Sequence, residues 1–119
     1  MIGSGNIVHN LHAYAWGRHE VEPFDWAMRF EKQARALLLE RSDLPLINFE
    51  SGRYPEGALP DGRATAPSFA RDAILSAPTP DHYLPLLYVI ALRREGEQVT
   101  FPVEGFDGGS ISMLTVKIG

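Results

Sequence analysis

Apolar residues recur at three- and four-residue steps between Phe24 and Arg41: Ala27, Phe30, Ala34, Leu37 and Leu38. That spacing predicts a helix with one apolar stripe, and puts Glu31, Lys32, Arg35 and Glu40 mainly on the other face. Pro23 suits its start. Leu44 to Phe49 is long enough for a further helical turn, and Phe69 to Ser76 repeats the amphipathic pattern over a shorter span. Between them, Gly52 to Pro67 carries Pro55, Gly57, Pro60, Gly62 and Pro67. A stretch so rich in glycine and proline reads as a loop or insertion.

The next segment changes character. Thr79-Pro80-Asp81 has the makings of a helix start: a capping hydroxyl, a proline at the first helical position and an acid at the positive end of the dipole. The predicted helix runs to about Arg94 and stops at Gly96. It is apolar nearly all round from Leu84 to Leu92, which predicts a central place in the fold. Val99, Phe101 and Val103 then alternate as one face of a strand. After Asp107-Gly108-Gly109 the chain returns as Ser110 to Ile118, a hairpin signal. At the other end, Met1-Ile2 leads at once into Gly3-Ser4-Gly5, a tight turn in which Asn6 is a plausible helix cap. So short a lead suggests the stump of a strand belonging to something longer. Leu11 to Glu22 reads as a surface loop. The pattern is that of a mixed α/β chain, with three or more helices, strands at both ends and no internal repeat.

Composition narrows the classes. The 119 residues suffice for one small domain, and 45% hydrophobic with 22% charged residues fits a globular protein. A net charge of -4 gives no electrostatic reason to expect nucleic acid. No apolar run approaches the roughly 18 residues that span a bilayer, and no basic, apolar leader opens the chain. A membrane is therefore not expected as a partner, and a cytoplasmic location is the default. There is no cysteine, so any metal must take nitrogen or oxygen ligands.

The candidate chemistry rests on histidine. His82 stands in Thr79-Pro80-Asp81-His82-Tyr83-Leu84-Pro85, placed by the pattern in the opening turn of the apolar helix. It reads either as a structural histidine bonded to local carbonyls or as a metal ligand. The helix's positive end disfavours imidazolium, and a metal needs the neutral ring. His9, in Gly3-Ser4-Gly5-Asn6-Ile7-Val8-His9-Asn10-Leu11, is either a loop histidine satisfied by hydrogen bonds or an acid–base group or ligand delivered by the glycine-rich turn. That turn lacks the dinucleotide pattern and the Walker lysine, so phosphate binding is a weak reading. His12 and His19 read as surface residues, although a three-residue step from His9 to His12 could share a helical face. Ser4 is not in a nucleophile elbow. Glu104, Asp107, Asp81 and Asp25 show no pairing, and Glu104 is expected to face solvent.

Several blocks in order carry a resemblance. The His9 block is followed by Trp16-Gly17 and Pro23-Phe24-Asp25-Trp26-Ala27. Then come Pro78-Thr79-Pro80-Asp81-His82-Tyr83-Leu84-Pro85-Leu86-Leu87-Tyr88 and Glu104-Gly105-Phe106-Asp107-Gly108-Gly109-Ser110-Ile111-Ser112-Met113. Together they resemble the class III extradiol ring-cleavage dioxygenases, in the DOPA 4,5-dioxygenase branch. The resemblance implies that residues 1–119 are the C-terminal part of one mixed-sheet α/β catalytic domain, with an insertion at 52–66.

It further implies a non-haem metal enzyme, with Fe(II) expected and Zn(II) as the alternative. Such enzymes open catechols with O2 beside the two hydroxyls. His82 matches a metal-binding histidine of the family. His9 matches the histidine of the glycine-rich turn, described as an acid–base catalyst or a metal-site histidine; the acid–base role is favoured. A neutral histidine titrating near working pH suits removal of a catechol proton and its return as the ring opens. The family draws further metal histidines from an N-terminal half that does not match here. The expectation is therefore a chain inactive by itself, whose partners are a catechol, O2 and the missing N-terminal half or another copy of the chain.

Overall fold

The apolar stripe that begins at Ala27 becomes helix α1, Asp25–Glu40, in a computed structural model that describes residues 2–3, 5–18, 21–49 and 69–119. The expected insertion at 52–66, His19 and Ser4 lie outside the described residues. Ala27, Phe30, Ala34 and Leu38 are buried as the spacing requires, but so is Glu31, which the pattern placed on the polar face. Its carboxylate is met by a buried serine, described below. The helix ends at Arg41, left-handed at φ 58°, where the backbone N–H reaches Leu37 and Leu38 carbonyls without the usual glycine. The Arg41 side chain donates to the Glu97 carbonyl at 2.8 Å, which ties that cap to the later part of the chain.

Two short helices follow, α2 at Leu44–Ile47 and α3 at Phe69–Ser76, the latter with the limits its pattern predicts. Helix α3 packs on α1. Phe69 meets Phe30 at 5.4 Å between ring centres, and Arg29 forks onto both oxygens of the buried Asp72 at 2.9 and 3.0 Å.

Helix α4, Leu84–Ala91, differs from expectation at both ends and in its setting. Residues 80–83 form a turn in which the Pro80 carbonyl accepts from the N–H groups of Tyr83 (2.8 Å) and Leu84 (2.9 Å). Thr79 is therefore not the cap, and His82 precedes the helix. The cause lies in Pro85, which has no N–H to give and is tolerated only in a first turn, so helix cannot extend N-terminally through it. Nor is α4 central. Leu86, Val89 and Ile90 are buried, whereas Leu84, Tyr88 and Leu92 are exposed. Their four-residue steps make them an outer stripe.

The strands are short: β1 Ile2–Gly3, β2 Val99–Thr100, β3 Phe106–Asp107, β4 Ile111–Ser112 and β5 Val116–Ile118. One antiparallel sheet runs β1-β5-β2, with Gly3 opposite Val116 and Val99 opposite Ile118. The other is the β3-β4 hairpin, with Phe106 opposite Ser112. Bonds from Met113 N–H to the Gly105 carbonyl (2.8 Å) and from Thr115 N–H to the Val103 carbonyl (2.9 Å) link the two pairings, so the tail is one irregular hairpin. Its turn is the Asp107-Gly108-Gly109 signal, with both glycines at positive φ. Val99 and Phe101 lean on the core, but Val103 is exposed. The fold is mixed α/β, as the patterning predicts.

Candidate functional site: a facing histidine pair

His82 is an exposed residue planted beside a deeply buried one. Its neighbour Tyr83 has no solvent exposure, donates its hydroxyl to the Leu46 carbonyl at 2.9 Å and lies against the Phe49 ring at 4.0 Å. From the other side, the Asn6 N–H donates to the His82 carbonyl at 2.9 Å. Gly5 permits that approach, because a Cβ there would sit 2.6 Å from the same carbonyl oxygen. The glycine-rich turn therefore clamps the backbone of His82.

His9 is held by different neighbours. Its N–H donates to the Ser76 carbonyl at the end of α3 (2.6 Å), and it bridges to Ile111 of β4. On either side, Ser112 N–H donates to the Val8 carbonyl at 2.9 Å and Asn10 N–H to the Ser110 carbonyl at 3.1 Å. The Asn10 side chain donates to Leu75 at 2.8 Å and accepts from Ala13 N–H at 3.1 Å. The segment is an irregular added strand, not the helix that Asn6 might have capped; Asn6 instead donates its side chain to the Ser112 carbonyl at 2.5 Å. Without a helix, His9 and His12 share no helical face, and His12 is exposed.

These two anchored segments bring the imidazoles of His9 and His82 face to face, 3.6 Å between centroids and 16° from parallel. Burial lowers the His9 pKa from its ordinary value, and the facing His82 lowers it further; a local backbone hydrogen bond opposes both. His9 is thus biased toward the neutral ring that can accept a proton.

Strand β4, against which the His9 segment is laid, is braced by a carboxylate. Ser112 donates its hydroxyl to Glu31 at 2.5 Å and accepts the Leu114 N–H at 3.1 Å. Burial raises the Glu31 pKa, and Glu104 adds to the rise, whereas the Ser112 hydrogen bond and Arg35 oppose it. Glu104 faces solvent as expected and from there pairs with Arg35 at 2.6 Å. Asp107 accepts from the Tyr14 hydroxyl at 3.0 Å. Asp81 and Asp25 are exposed. Tyr83 and Glu31 were not singled out by sequence. Tyr83's place beside a proline-led helix start was a usable hint, while nothing local marks Glu31.

The residues described do not by themselves fit a metal centre. No group of three or more histidine, aspartate or glutamate side chains among them is arranged to hold an ion. Lone pairs of imidazole lie in the ring plane, and the two near-parallel planes do not meet at one coordination point. At His82 the adjoining cavity, lined by Gly3, Gly5, Ile7, Leu86 and Leu114, is about 10 Å³, room for a water and not for a catechol.

No family model matches the chain. Over its whole length, however, it is 38% identical across 122 aligned residues to the 4,5-DOPA dioxygenase extradiol of Escherichia coli (strain K12), covering 38% of that protein. The crystal structure of an uncharacterized protein from Escherichia coli K12 matches 98% of the chain with a TM-score of 0.72 and 37% identity, covering 41% of that structure. The chain thus spans about two fifths of the length of the relatives it matches.

Proposed function

Because the chain is homologous along its whole length to an extradiol DOPA dioxygenase, we propose that it supplies the histidine pair of an extradiol ring-opening centre for catechols, with O2 as co-substrate. The observation that carries this reading is the face-to-face placement of His9 and His82 from distant parts of the chain. Ferrous iron is the metal proposed, with zinc as the alternative. His82 is the ligand this chain contributes; His9, stacked on it and not converging on the same coordination point, is a candidate ligand only in its place. The remaining donors must come from outside the described residues, from a separate polypeptide or a second copy. A cytoplasmic location is proposed with it; among the described residues no helix is long and apolar enough to cross a membrane.

The task proposed for His9 is proton transfer. Its neutral ring accepts a proton from a catechol hydroxyl placed beside it, and the imidazolium so formed returns that proton as the ring opens. The burial that lowers the His9 pKa favours the return. The chain alone is proposed to be inactive, since a histidine or two would hold iron weakly.

The test mixes the purified chain, ferrous iron and DOPA or protocatechuate, with and without a polypeptide corresponding to the remainder of the Escherichia coli relative. Ring-opened, yellow product is expected only with the complement. A folded, complemented mixture that forms none would sink the proposal. A non-catalytic metal- or ligand-binding module of the same fold is the competing reading, favoured by the lack of a three-donor cluster among the described residues. Ring-opened product in the complemented mixture, lost with His82→Ala, argues against that alternative.

A further inference from the structure

A second preorganised feature lies along the hairpin from the histidine pair and plays no part in the chemistry proposed above. The Tyr14 ring lies on Gly108, whose left-handed backbone (φ +55°) and missing Cβ leave the space the ring occupies. Its hydroxyl is pinned to Asp107 at 3.0 Å, and the next residue, Ala15, donates its N–H to the Gly108 carbonyl at 3.0 Å. On this platform stands Trp16, whose N–H donates to the Tyr14 carbonyl at 2.9 Å and whose ring tilts 56° to Tyr14 at 4.6 Å. Yet Trp16 is 71% exposed, the most exposed large apolar side chain described. An indole held in a defined pose but left largely to water has, among the described residues, no partner for its outer face.

The space beside it is a cleft of about 370 Å³ lined by Tyr14, Trp16, Arg18, Phe106, Asp107 and Gly108. That volume suits a single-ring ligand. The lining offers aromatic faces and one guanidinium, whose planar fork matches a carboxylate. Asp107 contributes a negative charge, which disfavours a ligand carrying a second anionic group.

We propose that this cleft binds a small aromatic monocarboxylate, its ring on the Trp16 indole and its carboxylate on Arg18. The proposal does not depend on the ring-opening reading, since it needs neither metal nor catalysis.

The test titrates the intact chain with benzoate and follows the two tryptophan indole N–H signals by NMR, assigned with Trp16→Phe; the spectrum also reports whether each sample is folded. The Trp16 signal should move saturably in the millimolar range, while that of the half-buried Trp26 stays fixed. Cyclohexanecarboxylate, which keeps the charge and loses the π face, should bind about five-fold more weakly. Arg18→Met should weaken benzoate about three- to ten-fold, and isophthalate should bind less well than benzoate. His82→Ala should leave benzoate binding unchanged. A Trp16 signal that does not saturate overturns the proposal, as does equal binding of the alicyclic acid or unaltered binding in Arg18→Met. Binding lost in His82→Ala would place the ligand at the histidine pair and overturn it equally, whatever the outcome of the ring-opening assay.

Discussion

The His82 carbonyl accepts the Asn6 N–H at 2.9 Å while the His82 ring faces that of His9 at 3.6 Å. One short turn thus holds His82 by its backbone and delivers the partner of its side chain. A change in the turn should disturb the pair without touching either histidine.

Gly5→Ala tests this. The added methyl would meet the His82 carbonyl oxygen at 2.6 Å and the Pro85 ring at 2.9 Å. Both are stiff, so the backbone must move and the Asn6 bond lengthen. A loss of about 1–3 kcal/mol is expected in urea unfolding, together with weaker cross-ring NMR contacts between His9 and His82. Unchanged contacts would show that the turn does not set the pair.

Acid should destabilise the protein through His9. Its folded pKa is lowered by burial and then by His82, so the unfolded chain binds a proton that the folded chain resists. The stability this gives is complete above the ordinary imidazole value and is lost as pH falls through the region below it. Glu31 has the opposite sign: its pKa is raised, chiefly by burial, so its contribution is present below the ordinary carboxyl value and is lost as pH rises through the folded value. Urea midpoints measured against pH should therefore flatten on the near-neutral acid side in His9→Gln and in the weakly acid region in Glu31→Gln. Parallel curves for wild type and His9→Gln would remove His9 as the source.

Two glycines at positive φ should respond very differently to alanine. Gly96 (φ +84°) has open space at its Cβ position, whereas Gly108 (φ +55°) has the Tyr14 ring there. Gly96→Ala should cost about 1 kcal/mol for backbone strain alone. Gly108→Ala should cost clearly more and should release Tyr14, raising its accessibility to iodination. Equal melting temperatures for the two variants would contradict the packing described.

Tyr83→Phe removes the hydroxyl that donates to the Leu46 carbonyl inside the core. The ring packing against Phe49 and Phe30 remains, and a buried carbonyl loses its donor. A cost of about 1–2 kcal/mol is expected in chemical unfolding. The His82 signals should broaden as the neighbouring anchor loosens.

Much of this was legible in the linear order of residues. The stripe from Ala27 to Leu38 yielded α1 because a helix repeats every three to four residues whatever it packs against. Phe69 to Ser76 appeared with its predicted limits, and Asp107-Gly108-Gly109 turned the hairpin because a tight turn needs backbone angles that glycine supplies. The helix at His82 was misjudged where two local signals competed. Pro80 and Pro85 both suit a first turn, and the later one prevailed.

The sequence by itself determined helices α1 and α3, the turn glycines and the kinship over the whole chain, and it singled out two histidines. All of these depend on residue type and near-neighbour spacing. Only the tertiary structure decided that His9 and His82 face each other, that Glu31 is buried under Ser112, and that α4 turns Leu84, Tyr88 and Leu92 outward. Such pairings depend on long-range bonds, such as Ser112 N–H to the Val8 carbonyl. No local period encodes them, because they arise only when distant segments close on one core.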